Sequence, residues 1–223
     1  VSEWANPLTS KWAPDLTTEI GDDPSRCLLA FGGVCHGINM APMEFHRATE
    51  GLDWTRVFVR DLSVSWYLLD DEGHPALNRT LQAVAEELER LQPERIVVVG
   101  ASAGGFMALR AGHYLRADTV HAFGPQTTVD REHLRGMDGR FDAALAKVWT
   151  AGLPADHLDI VPDLSEWNGR TRYHLHTCQD SADVAHAKRI AGPEVTWHRW
   201  PCSGHVPAKW MRDEGTLAEV ITW

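Results

Sequence analysis

The segment Gly100-Ala101-Ser102-Ala103-Gly104 places a hydroxyl midway between two glycines, the pattern of a serine nucleophile displayed on a sharp strand-to-helix turn. A serine hydroxyl is a weak nucleophile until a neighbouring base takes its proton and amide donors receive the oxyanion that forms on the attacked carbonyl. The turn also drives strand and helix together, so the positions two before and two after the serine must be small. Gly100 and Gly104 meet that need, and Ala101, Ala103 and Gly105 add little bulk. Two other glycine-rich turns fit less well. A dinucleotide fingerprint would need glycine where Ser102 stands, and a phosphate-binding loop would need a Gly-Lys-Ser/Thr run that is absent. An ordinary strand-helix loop is the plain alternative.

A nucleophile of this kind depends on its context, and the chain supplies one. Ile96-Val97-Val98-Val99 is a continuous β-branched run immediately before the turn, as expected of a central parallel strand covered on both faces. Strands are predicted over residues 26–31, 55–60, 95–99, 119–123, 172–177 and 194–200. Helices are predicted between them. In 77–91 the spacing of Leu77, Leu81, Val84, Leu88 and Leu91 makes one apolar stripe. Residues 104–115 are rich in Ala and Gly, as suits a helix packed closely beneath a central strand, and 181–190 and 216–223 are further sheet-packing candidates. Residues 127–167 contain no convincing strand, although 138–150 has helical character. A bare loop of that length is improbable in a compact domain, so the segment is read as an inserted helical cap or lid within one domain spanning 1–223.

From about Arg26 to the C-terminus the pattern resembles the α/β-hydrolase superfamily, on the strength of Gly100-x-Ser102-x-Gly104 between a valine-rich strand and a helix. The resemblance implies an α/β fold with a reduced, mostly parallel sheet of about six strands, ordered 2-1-3-4-5-6, helices on both faces, and the site at the carboxyl edge. It also implies the chain order nucleophile, acid, histidine. After the strand at 172–177, Asp180 fits the family's acid position best, and Asp183 is its rival. An acidic side chain at 183 would also favour the start of the following helix. After the last strand, Pro201-Cys202-Ser203-Gly204-His205 delivers His205 to the same edge; among twelve histidines it stands apart by position. Ser102, Asp180 and His205 would then form a triad, with His205 as general base and acid. The oxyanion donors would be the Ala103 amide and one from the Gly32-Gly33 pair, with Gly33 preferred over Gly32 or Val34.

Val34, Met40, Trp66 and Tyr67 are the candidate substrate-binding residues, because their segments follow the first two predicted strands. Closure of the core beneath a loop accounts for them equally well. The implied activity is hydrolysis of an ester, thioester or amide through an acyl-enzyme. An acyltransferase or cyclase would use the same triad, and a noncatalytic binding protein would keep the fold. Soft ligands in Cys35-His36, Cys178, Cys202 and His205 raise zinc as a separate class, but their spacing is unspecific. No cofactor or metal is called for.

Composition sets the remaining bounds. With 21 Lys plus Arg against 31 Asp plus Glu, the net charge is -10, which disfavours nucleic acid as a partner. No apolar stretch marks a leader or a membrane anchor, so the expectation is a cytoplasmic protein acting on a small-molecule, acyl or peptidyl substrate. The four cysteines occur singly and are expected as reduced thiols.

Overall fold

Val97, Val98 and Val99 are completely buried, and the strand that carries them lies in the middle of a seven-stranded sheet. The computed structural model describes residues 13–34, 43–205 and 207–223. The strands are β1 (Asp15–Glu19), β2 (Asp23–Phe31), β3 (Trp54–Arg60), β4 (Arg95–Ala101), β5 (Thr119–Phe123), β6 (Arg172–Thr177) and β7 (Val195–Arg199). Their spatial order is β1-β3-β2-β4-β5-β6-β7. All neighbouring pairs are parallel except β1 with β3. The order β3-β2-β4-β5-β6-β7 is the one the resemblance implied.

The addition is β1, which the sequence reading did not anticipate. Asp-Leu-Thr-Thr-Glu has no apolar run, and its pairing with β3 is supported by ion pairs across the register, Arg60 with Asp15 and Arg56 with Glu19 at 2.6 Å. An edge strand exposed on one side can be polar, so hydrophobic pattern is a poor guide to it.

Two apolar layers cover the sheet. On one face α1 (Leu77–Leu91) and α2 (Ala103–Tyr114) pack against β2 to β6, with Leu81, Val84 and Leu88 of the predicted stripe buried there. Four short helices follow β5, α3 (Arg131–Leu134), α4 (Asp142–Thr150), α5 (Ala155–Leu158) and α6 (Val161–Ser165); the same core takes in Leu134, Leu145, Val148 and Leu164 from three of them, with Leu158 of α5 partly buried against it. These make up the segment predicted as a cap. The helix expected from residue 138 begins at Asp142, because the Asp138 carboxylate accepts from the Arg140 backbone N–H at 3.0 Å and holds the chain in a turn. The segment predicted helical over 181–190 forms the shorter α7 (Ser181–Ala187). On the opposite face Met211 of α8 (Pro207–Asp213) and Leu217, Val220 and Ile221 of α9 (Leu217–Ile221) pack against Leu28, Phe58 and Val99. Helix α8 was not predicted.

The expectation of reduced thiols is overturned for one pair. Thr177 and Arg199 are register partners at the ends of β6 and β7, so the chain just beyond them brings Cys178 and Cys202 to a Cα separation of 4.9 Å, joined as a disulfide. Cys27 is buried and free. Cys35 and His36 lie outside the described residues. No helix among the described residues is long and apolar enough to cross a membrane.

Candidate active site

Ser102 joins β4 to α2 with φ 54° and ψ -121°, a backbone conformation that a side-chain-bearing residue occupies only under strong local constraint. The constraint is steric and hydrogen-bonded. The Ser102 N–H donates to the Phe123 carbonyl at 2.9 Å, and the Ser102 carbonyl accepts from Phe106 N–H at 3.1 Å. A Cβ on Gly100 would run into the Gly104 carbonyl, and one on Gly104 into the Phe31 carbonyl. Both glycines are therefore required by close backbone approach, as the motif predicted.

The Ser102 hydroxyl lies 2.8 Å from His205 Nε2, and His205 Nδ1 lies 2.7 Å from Asp183 Oδ1. The carboxylate facing His205 is thus Asp183, not the favoured Asp180. The reason lies in the start of α7. Asp180 is its N-cap, its carboxylate accepting from the backbone N–H groups of Ala182 and Asp183 at 3.0 and 3.2 Å. That turn points Asp183, three residues after Asp180, inward, where it is fully buried. Gly124 makes room for the histidine loop: at φ 55° it sits where a Cβ would strike the His205 carbonyl.

Of the expected oxyanion donors, Ala103 is the first residue of α2 and buried. Gly33 lies against the elbow, since a Cβ there would be 3.2 Å from the Ala101 carbonyl and 3.7 Å from Ser102 Cβ. Its N–H is engaged, donating to Glu44 Oε2 at 2.7 Å. Burial pushes the Glu44 carboxyl up to about 7, against the opposing pull of the Gly33 N–H and the Arg212 charge.

Trp66 is fully buried, donates from Nε1 to Gln126 Oε1 at 3.0 Å, and meets the Phe141 ring edge-on at 5.6 Å. Phe141 in turn lies 5.5 Å from the His205 ring. Tyr67 is placed differently from the expectation of a pocket wall. Its hydroxyl donates toward the Gly32 and Val59 carbonyls at 2.7 and 3.0 Å, so it supports the Gly32-Gly33 loop from beneath. Val34 is half-buried against the main core. Met40 lies outside the described residues.

Three residues went unnoticed in the sequence. Gln126 Oε1 is 3.5 Å from the Ser102 hydroxyl, and because Trp66 fixes the amide orientation, its buried Nε2 is left without a hydrogen-bond partner among the described residues. Glu44 is the second. The third is Arg140, between α3 and α4, which donates to Asp138, Asp180 and Asp183. Burial works against the charge of Asp138, but bonds from His186 and Arg140 outweigh it and hold the carboxyl well below the usual range. Nothing local distinguishes Gln126, Glu44 or Arg140 from surface polar residues. Among the described residues, no group of three or more His, Cys, Asp or Glu side chains is arranged to hold a metal ion.

No family model matches the sequence, and no curated protein matches it. Solved structures do. The capsule O-acetyltransferase of Neisseria meningitidis serogroup A is similar over 92% of this chain and 90% of its own, with 13% identity and a TM-score of 0.66. An α/β hydrolase enzyme from a lagoon-sediment metagenome aligns over 96% of this chain and 99% of its own, at 13% identity and a TM-score of 0.59. The fold is that of the α/β hydrolases. A monoacylglycerol lipase of Paleococcus ferrophilus shares it at 12% identity and a TM-score of 0.60, over 94% of this chain and 98% of its own. Ser102, Asp183 and His205 follow one another in that order along the chain and meet at the carboxyl edge of the parallel strands.

Proposed function

We propose that this chain is a serine hydrolase that cleaves an ester, thioester or amide by way of an acyl-enzyme on Ser102. The observation that carries the reading is the continuous Ser102 Oγ, His205 Nε2, His205 Nδ1, Asp183 Oδ1 chain, with links of 2.8 and 2.7 Å. Asp183 accepts a hydrogen bond from Nδ1–H, which leaves the Nε2 lone pair facing the serine hydroxyl. As Oγ bonds to the acyl carbon, its proton passes to Nε2 and the carbonyl electron pair moves onto oxygen. Collapse of that tetrahedral species expels the alkoxide, thiolate or amine, which leaves with the proton from Nε2. Water then repeats the sequence on the acyl-enzyme, releasing the acid and restoring Ser102. The oxyanion is received by the Ala103 and Gly33 amides, so Glu44 must give up its bond to Gly33 when substrate binds.

A second reading, transfer of the acyl group to an alcohol or amine, is supported by two observations. Ser102 is buried at 8% exposure, a setting that limits water, and the similar structures include a capsule O-acetyltransferase. The disulfide between Cys178 and Cys202 favours an oxidising compartment over the cytoplasm expected from single cysteines.

A fluorophosphonate probe tests the nucleophile. Wild type should label at Ser102, and Ser102→Ala should lose both labelling and turnover of p-nitrophenyl esters and acyl thioesters, by about 10³-fold or more. Labelling that persists in Ser102→Ala, or turnover without labelling, would overturn the reading. Partitioning of product between free acid and an added alcohol or amine separates hydrolysis from transfer.

A further inference from the structure

Asp183 is fully buried, and its Oδ2 has no hydrogen-bond partner among the described residues. All of its polar compensation reaches Oδ1. One donor there is His205; the other is Arg140, whose Nη2 lies 2.8 Å away. Arg140 is anchored in the cap, where Nε and Nη2 donate to the two oxygens of Asp138 at 2.9 and 2.8 Å. Its Nη1 donates to Asp180 Oδ1 at 3.0 Å. Asp138 is anchored in turn: His186 Nδ1 accepts from the Thr127 N–H at 3.1 Å, which leaves its Nε2–H to donate to Asp138 Oδ2 at 3.2 Å. The planar five-donor guanidinium is suited to this task, since it can serve three carboxylates at fixed angles while carrying a charge that does not titrate away.

The groups facing His205 define what Arg140 does there. Ser102 approaches from the elbow, Asp183 from α7, and Arg140 and the Phe141 ring from the cap, with Gly124 packed beside it after β5. Arg140 Nη1 lies 3.1 Å from His205 Nδ1 and offers only protons. With Nδ1–H directed at Asp183, Arg140 and the imidazole meet as two donors, and both hydrogen bonds go to Asp183 Oδ1. Without Arg140, three carboxylates would converge beside one another with only imidazoles to balance them.

We propose that Arg140 is a positioning residue for the Ser102 site, holding the Asp183 carboxylate aimed at His205, so that seating of the segment that carries Arg140 becomes a condition for turnover. This rests on the serine-hydrolase reading above. Arg140 touches no reacting atom and acts through Asp183.

The test compares wild type with Arg140→Gln, Arg140→Lys and Arg140→Ala, using p-nitrophenyl ester turnover as a function of pH. Arg140→Gln should lower kcat/KM about 100-fold, chiefly through kcat, and move the acidic limb of the profile to higher pH, because a cation beside the imidazole has gone. Arg140→Lys keeps the charge without the fork and should fall between. Guanidinium chloride at low millimolar concentration should restore part of the activity of Arg140→Ala and leave wild type unaffected. Arg135→Gln, an exposed arginine in the same segment, should match wild type. If Arg140→Gln does not fold, the Lys variant's pH profile and the guanidinium titration decide. A superimposable pH profile with kcat/KM within about threefold of wild type would overturn the proposal, as would a loss confined to KM with no guanidinium response. Fluorophosphonate labelling keeps the two readings apart. An unlabelled wild type refutes the serine mechanism, whereas a labelled wild type with indifferent Arg140 variants refutes only the role of Arg140.

Discussion

Ser102 is held by its immediate sequence neighbours, whereas Asp183 and His205 are held by residues far away along the chain. At the elbow, Gly100, Gly104 and the strand-helix junction account for the backbone of Ser102, and every constraint except the Phe123 and Phe31 carbonyls lies within a few residues. On the other side, the Asp183-His205 pair is flanked by Arg140 from between α3 and α4, Gly124 after β5, and the disulfide that ties the end of β6 to the loop before His205. The elbow is a steric device and is buried and apolar. The acid-histidine half is an electrostatic one, and its parts have no meaning until the chain has folded. Two kinds of failure follow, one in packing and one in charge.

The sharpest contrast lies within the charged half, between Asp183 and Asp180. Asp183→Asn should reduce kcat/KM by about 10³- to 10⁴-fold, because the amide turns the imidazole toward the wrong tautomer. Asp180→Ala should cost about 1 kcal/mol of stability through loss of the α7 cap, with a much smaller kinetic effect. Esterase kinetics and urea unfolding of both variants check this, and a reversed ranking would restore Asp180 as the acid. For the elbow, Gly104→Ala forces a Cβ against the Phe31 carbonyl and should destabilise the fold by about 3 kcal/mol. A variant as stable as wild type would show that the close approach is not what shapes the turn.

The smallest expected effect concerns pH. His121, His174, His176 and His198 stack across β5, β6 and β7, with Nδ1 of His121 3.1 Å from Nε2 of His176 and Nδ1 of His174 3.0 Å from Nε2 of His198. Burial, reinforced by the neighbouring imidazoles and by Arg95, lowers His121 to about 3; burial, His198 and Arg172 lower His174 to about 4. His176 and His198 are lowered as well, in both cases chiefly by burial. Since the unfolded chain binds these protons more readily, the stabilisation is complete above the ordinary histidine value of 6.5 and is lost as pH falls below it. Urea midpoints should therefore decline between about pH 7 and pH 5, before most carboxylates titrate, and His121→Phe should flatten the decline. A midpoint that is constant over this window would mean that the cluster accepts protons without strain.

The six parallel strands, α1, the elbow and His205 were legible in the sequence because each rests on a short-range signal: a β-branched run, a 3.6-residue stripe, a pair of small residues, a strand followed by a turn. β1 was not, since its pairing is made by charges opposite one another on β3. Nor was α8, a short helix whose burial comes from packing on the far face.

Local sequence thus determined where a serine would sit on a strained turn, because steric demands at Ser102 are met by residues two positions away. Only the tertiary structure decided which aspartate meets His205, that Cys178 and Cys202 join, and that Arg140, Glu44 and Gln126 surround the site. Those outcomes depend on where a side chain points and on distances between segments remote in sequence. The first turn of α7 sends Asp180 to cap the helix and Asp183, three residues on, into the core, and no composition or spacing rule distinguishes the two.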